Sequence, residues 1–168
     1  MISQQERQQA ADALFEAGRT SKPIAQVSKT WPKMEIEDSY VVQQLWADKR
    51  VQAGARVIGH KIGLTSRAMQ QASKMTEPDY GVLLDDMTYA DGARIPVSLF
   101  SAPRLEVELA FVLGKRLGGK NVTIFDVLDA TAYVTPALEI IDYRTEVPRA
   151  IVDTIADNAA AAGMVTGG

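Results

Sequence analysis

Ser3 and Glu6 stand at the spacing of a capping box, and the stretch that follows is rich in good helix formers, so a helix is predicted over 4–17 with Gly18 as its stop. Pro23 and Pro32 interrupt the chain, after which Ile36, Tyr40, Val41, Leu45 and Val51 recur at helical intervals up to Gly54. Glu37 and Asp38 at the start of this second helix, and Lys49 and Arg50 at its end, complement the backbone dipole. From Arg56 the pattern changes to a short apolar segment with two glycines, which reads as strand. A short helix is predicted within 65–74, and Glu77-Pro-Asp-Tyr-Gly81 as a turn ahead of the apolar Val82-Leu-Leu84. Leu105–Leu113 and Tyr133–Ile141 are the clearest strands, separated by Gly118-Gly119 and a helix that starts at Thr123 with Asp126 completing its cap. Met164 to Gly168 reads as a strand that begins and immediately stops.

With 168 residues and 46% hydrophobic content the chain is the size of one compact unit, in which a helical region over 1–55 precedes a β-rich region over 56–168. No apolar run approaches the roughly 20 residues of a membrane span, and the N-terminus lacks the apolar core of a secretory signal. A cytoplasmic protein is expected, with no membrane partner. The absence of cysteine excludes disulfides, thiolate nucleophiles and thiolate metal sites, so any metal must be held by oxygen or by the single histidine. A net charge of −3 with acids and bases interspersed argues against nucleic acid as a partner.

Candidate chemistry begins with Arg104-Leu-Glu-Val-Glu-Leu-Ala-Phe-Val-Leu113. Strand alternation puts Glu106 and Glu108 on one face, roughly 7 Å apart. At an effective dielectric near 20 two such charges repel by about 2 kcal/mol, which a cation would relieve. The apolar second half of the strand suggests a sheet interior, where unpaired carboxylates are costly. Glu139 is the only charge in the apolar run Pro136-Ala-Leu-Glu-Ile-Ile141 and needs a partner. Three carboxylates without a Cys or His cluster match a hard divalent cation, Mg²⁺ or Mn²⁺, that keeps several waters. By pattern alone, Glu-x-Glu is also what the solvated face of an antiparallel sheet looks like, and Glu139 could pair with Arg104 or Arg144 instead.

Lys61, flanked by Gly59 and Gly63, is open to a ligand and suited to act as acid, base or anion anchor, although a lysine near a strand end also snorkels to water. His60 falls on the opposite strand face and is read as structural. Asp79 is a candidate base, or simply a turn aspartate. Asp153, Asp157 and Asn158 form a polar cluster suited to capping or ending a helix.

Taken in order, Gly59-His-Lys-Ile-Gly-Leu-Thr-Ser66, Glu77-Pro-Asp-Tyr-Gly81, Pro103-Arg-Leu-Glu-Val-Glu108, Pro136-Ala-Leu-Glu139 and Asp153-Thr-Ile-Ala-Asp-Asn158 resemble the 2-oxo-acid hydratase and decarboxylase branch of the fumarylacetoacetate hydrolase superfamily. The resemblance extends over nearly the whole chain. It implies an α+β fold, with N-terminal helices beside a mixed, mostly β core, and lacking the C-terminal strands with which that family completes its sheet. It also implies Glu106, Glu108 and Glu139 as metal ligands, Lys61 and Asp79 as proton-transfer residues with exchangeable roles, and self-association into a homo-oligomer. The implied activity is metal-dependent addition of water to a 2-hydroxy-2,4-dienoate or its 2-oxo tautomer, the seven-carbon dioate, with the five-carbon acid as an alternative. Decarboxylation of a 2-oxo-3-enedioate, and a catalytically silent partner subunit, are the alternatives. Arg67, Lys74, Arg104 and Arg144 are unranked candidates for a second substrate carboxylate. The connection from Asp142 to Ile151 is expected to be shorter than in the family.

Overall fold

In the computed structural model, which describes residues 1–167, the chain is α+β. Helix α1 (Gln4–Thr20) starts at the expected capping box, with the Ser3 and Glu6 side chains and backbones bonded reciprocally. It does not stop at Gly18. It continues to Thr20 and closes at Ser21 in a left-handed conformation. Gly18 is needed for contact instead, because a Cβ there would lie 3.2 Å from Nε of Arg144.

After the single turn α2 (Val27–Thr30), α3 (Ile36–Gln52) runs along α1. Its buried stripe is Asp38, Ser39, Val42, Gln43, Trp46 and Ala47, displaced from the apolar positions that the sequence pattern picks out. Polar residues occupy the inner face because each finds a partner there. Asp38 accepts from Arg7 at 2.7 Å and from the backbone of Ile2 and Glu35, and the Gln43 amide donates to the carbonyls of Tyr80 and Ile155, both at 2.9 Å. Leu14, Val42, Trp46, Val82, Leu84 and Ala156 form the core between the helices and the strands. Trp46 also carries the guanidinium of Arg144 over its ring at 4.9 Å.

Strands β1 (Val57–Gly63) and β2 (Asp79–Leu84) form a separate antiparallel hairpin around the short helix α4 (Arg67–Ala72). β2 begins at Asp79, where a turn is expected, because Asp79 and Tyr80 already pair with Gly63 and Ile62. The second sheet has the order β3-β6-β5-β4, from β3 (Thr88–Tyr89), β4 (Arg104–Leu113), β5 (Thr131–Ile141) and β6 (Ala161–Thr166). β3 and β6 are parallel and the other pairs antiparallel, so the sheet is mixed. Helix α5 (Ile124–Ala130), capped by Thr123 and Asp126, joins β4 to β5, and α6 (Ile151–Ala156) leads through a tight turn into β6.

Among the described residues β4 is an edge strand, exposed on both faces, rather than the sheet interior its apolar half suggests. Leu105, Val107, Leu109 and Phe111 are all exposed on the side away from the glutamates, Val107 at 85%. Among the described residues no helix is long and apolar enough to cross a membrane.

Leu14 is fully buried between α1 and its neighbours, so Leu14→Ala is expected to lower unfolding stability by about 2–5 kcal/mol. Chemical denaturation, reading the midpoint at unchanged slope, measures this.

Candidate metal and catalytic site

The register of β4 on β5 sets Glu106 directly opposite Glu139, with Glu108 one pleat further on the same face. Like charges facing each other across a ladder repel, and here a third acid adds to the repulsion. One carboxylate oxygen from each of Glu106, Glu108 and Glu139 lies within 4.8 Å of the others. Oxygens on opposite sides of an octahedral Mg²⁺ are about 4.2 Å apart, so small side-chain rotations bring all three to one ion. The donor set therefore fits a hard divalent cation.

Glu106 and Glu108 are exposed, whereas Glu139 is buried. Burial, opposed by the positive charge and hydrogen bonding of Lys61 and reinforced by Glu106 and Glu108, pushes the Glu139 carboxyl up to about 7. Its Oε1 has no hydrogen-bond partner, and its Oε2 lies 3.4 Å from Nζ of Lys61. A buried acceptor left open beside two other carboxylates is what a cation would complete. The anticipated arginine partners are engaged elsewhere: Arg144 pairs with Asp157 at 2.8 Å, and Arg104 lies over the Tyr143 ring at 5.7 Å.

Lys61 is largely buried and does not snorkel to water. Its Nζ donates to the carbonyl of Ala159 at 3.1 Å. Asp79 enters the same place through the hairpin register, paired with Gly63 two residues beyond Lys61. A Cβ on Gly63 would overlap Oδ1 of Asp79 and lie 3.4 Å from Nζ of Lys61, so glycine is what leaves room for both side chains on this face. Asp79 is buried, its Oδ1 unpartnered. Desolvation raises its carboxyl above the ordinary value despite the Lys61 charge, with Glu106 adding to the rise.

The structure thus brings together Lys61, Asp79, Glu106, Glu108 and Glu139. His60 is exposed, its ring edge-on to Tyr80 at 6.4 Å, and it lines the rim of the neighbouring cavity. A cavity of about 510 Å³ opens beside the site, lined by Lys61, Glu108 and Glu139 together with apolar Leu83, Leu138 and Met164. The polar cluster of Asp153, Asp157 and Asn158, suited on its sequence to capping or ending a helix, caps α6 and ties it to its neighbours. Asp153 binds the backbone and hydroxyl of Ser28 at 2.8 and 2.9 Å and caps α6 through Ala150, while Asp157 holds Arg144. Asn158 bonds both backbone groups of Val82 in β2.

No family profile matches the sequence. Over 165 residues the chain is 51% identical to 2-oxo-hept-4-ene-1,7-dioate hydratase of Escherichia coli, covering 94% of this chain and 62% of that protein. It is 39% identical over 158 residues to 2-hydroxypent-2,4-dienoate hydratase of Pseudomonas putida, covering 93% of this chain and 71% of the relative. The fold matches the solved structure of 4-oxalocrotonate decarboxylase from Pseudomonas putida G7, complexed with magnesium and adipate, with a TM-score of 0.95 at 30% identity, over 100% of this chain and 64% of that one. The chain belongs to the 2-oxo-acid hydratase and decarboxylase branch of the fumarylacetoacetate hydrolase superfamily. Within that branch these curated relatives carry hydratase names, and the chain spans about three fifths of the length of the Escherichia coli protein.

The raised Glu139 carboxyl has a consequence for stability. Without a cation, the folded protein keeps this proton up to about 7, whereas the unfolded chain gives it up near the ordinary 4.5. Between those values only the native state holds the proton, so stability falls as pH rises through the window, by about 3 kcal/mol in all. Asp79, also raised, contributes with the same sign above its own ordinary value. Denaturation in chelator at pH 5 and pH 7.5 is expected to show the loss, and Glu139→Gln to remove most of it.

Proposed function

We propose that this protein is a divalent-metal-dependent hydro-lyase, adding water to a 2-hydroxy-2,4-dienoate or its 2-oxo-4-enoate tautomer, with Mg²⁺ or Mn²⁺ held by Glu106, Glu108 and Glu139. The observation that carries this reading is the convergence of three carboxylate oxygens within 4.8 Å of one another, beside a buried lysine and a buried aspartate. The hydratase names of the relatives support the reaction class. Magnesium in the decarboxylase structure supports the choice of ion.

When bound, the cation would supply positive charge to the substrate's carboxylate and adjacent 2-oxygen, favouring negative charge on that oxygen. The protein's own groups move the protons. Ketonisation of the dienol takes one proton from the 2-hydroxyl and delivers one to the far end of the diene. Lys61, whose ammonium is held by Ala159 and Glu139, is placed to exchange a proton at the 2-oxygen. Asp79 is desolvated and proton-retentive, suited to deliver or remove a proton at carbon or water. Hydration then adds the water oxygen to the fourth carbon and its hydrogen to the third. The apolar side chains of Leu83 and Met164 beside the carboxylates suit the hydrocarbon portion of such a substrate.

The seven-carbon dioate is the substrate we infer within the class, supported by the 51% identity to a hydratase named for it. A second reading, loss of CO₂ from a 2-oxo-3-enedioate through the same chelate, is favoured by the match in fold to 4-oxalocrotonate decarboxylase. We further infer a cytoplasmic homo-oligomer, a reading supported by the family resemblance, with sedimentation as its measurement.

Calorimetric titration is expected to give one Mg²⁺ or Mn²⁺ per chain for the wild type and a loss of at least about 100-fold in affinity for Glu108→Ala, since a cation of this kind rests on few carboxylates. Equal binding by both would remove the chemical basis of the reading. Incubation with Mg²⁺ and each dienoate separates the two reactions, because a hydrated product supports the first and release of CO₂ alone supports the second.

A further inference from the structure

The turn that follows α6 has an unusual backbone. Asn158, Ala159 and Ala160 all have positive φ, at 55°, 49° and 64°. This is left-handed backbone three residues long without a glycine, a conformation that asparagine tolerates and alanine resists. Such a turn persists only where its surroundings hold it.

Asn158 supplies that hold. It is fully buried, its Oδ1 accepts from the Val82 N–H at 2.7 Å, and its Nδ2 donates to the Val82 carbonyl at 2.9 Å. The side chain thus stands in for a neighbouring strand on β2. The backbone of the turn presses equally close: a Cβ on Gly81 would be 2.5 Å from the Asn158 carbonyl oxygen. On the other side the Asp142 N–H donates to the Ala160 carbonyl at 3.0 Å.

What this achieves is a direction for the Ala159 carbonyl, which accepts the 3.1 Å hydrogen bond from Nζ of Lys61. A lysine has a flexible stem and a compact charge with three donors. With Glu139 3.4 Å away and Glu106 and Glu108 beside it, an unanchored ammonium would settle among the carboxylates as their counter-ion. It would then compete with a metal for the same oxygens.

We propose that Asn158 is a positioning residue: through the left-handed turn it aims the Ala159 carbonyl at Lys61 and keeps the ammonium to one side of the carboxylate cluster. The proposal rests on the reading of Glu106, Glu108 and Glu139 as a cation site.

The test is Mg²⁺ titration by calorimetry of the wild type, Asn158→Gly, Lys61→Met and the double variant. Glycine accepts positive φ, so Asn158→Gly removes the two hooks without adding strain. In the lysine background it is expected to weaken Mg²⁺ binding by about fivefold or more, whereas in the Lys61→Met background it changes affinity by less than about twofold. A purely architectural role would weaken both backgrounds alike, and that result overturns the proposal, as does unchanged affinity in Asn158→Gly. Where circular dichroism shows Asn158→Gly unfolded, Asn158→Asp carries the same comparison, because it keeps the bond from the Val82 N–H and loses the one to the carbonyl. A wild type that takes up no Mg²⁺ overturns the cation site itself, and this proposal with it.

Discussion

A desolvated carboxylate set against other carboxylates is the constraint around which this structure is arranged. Glu139 sits in the sheet with Glu106 across the ladder and Glu108 beyond it, and burial, with these two acids adding to it and Lys61 opposing, raises its carboxyl to about 7. Such a group is stable only with a proton or with positive charge nearby. Lys61 supplies part of that charge from a different sheet, which ties the hairpin to β5 electrostatically. A divalent ion bound by all three acids would supply the rest.

Most of the buried polar groups around the site are paired. Asp38, Gln43, Asp153, Asp157 and Asn158 are all buried, and each is tied to the backbone or to an arginine. Satisfied polar groups of this kind fix the relative placement of α1, α3, α6 and β2 more tightly than apolar contact would. Against that background, Oε1 of Glu139 and Oδ1 of Asp79 lack partners. Gln26 Oε1 and Thr145 Oγ1 also lack them, but they lie outside the carboxylate cluster. The site is framed by paired polar groups and left open at the carboxylate oxygens that a cation would meet.

Local patterns in the chain were read well where one segment carries its own signal. The capping boxes at Ser3 and Thr123, the β4 and β5 strands and the pairing of Glu106 with Glu108 on one face all follow from spacing within a few residues. Where an outcome depends on a distant partner, local spacing does not carry it. The inner face of α3 is polar because Arg7, Tyr80 and Ile155 receive it, and Gly18 serves the approach of Arg144 instead of ending a helix. Asp79 belongs to a strand because Gly63 pairs with it, although Pro78 and Gly81 around it carry the marks of a turn.

The sequence by itself determined most of the elements, the donor chemistry and, through its ordered motifs, the family. Alternation on a strand and the lack of any thiol restrict which atoms can face a ligand and of what kind they are. Tertiary structure decided which of those atoms meet: that Glu139 lies opposite Glu106, that Lys61 turns inward to it, and that the Asn158 turn reaches across to hold the lysine. Strand register and the docking of a separate hairpin are cooperative properties of many residues, so no local pattern specifies the few ångströms on which the chemistry depends.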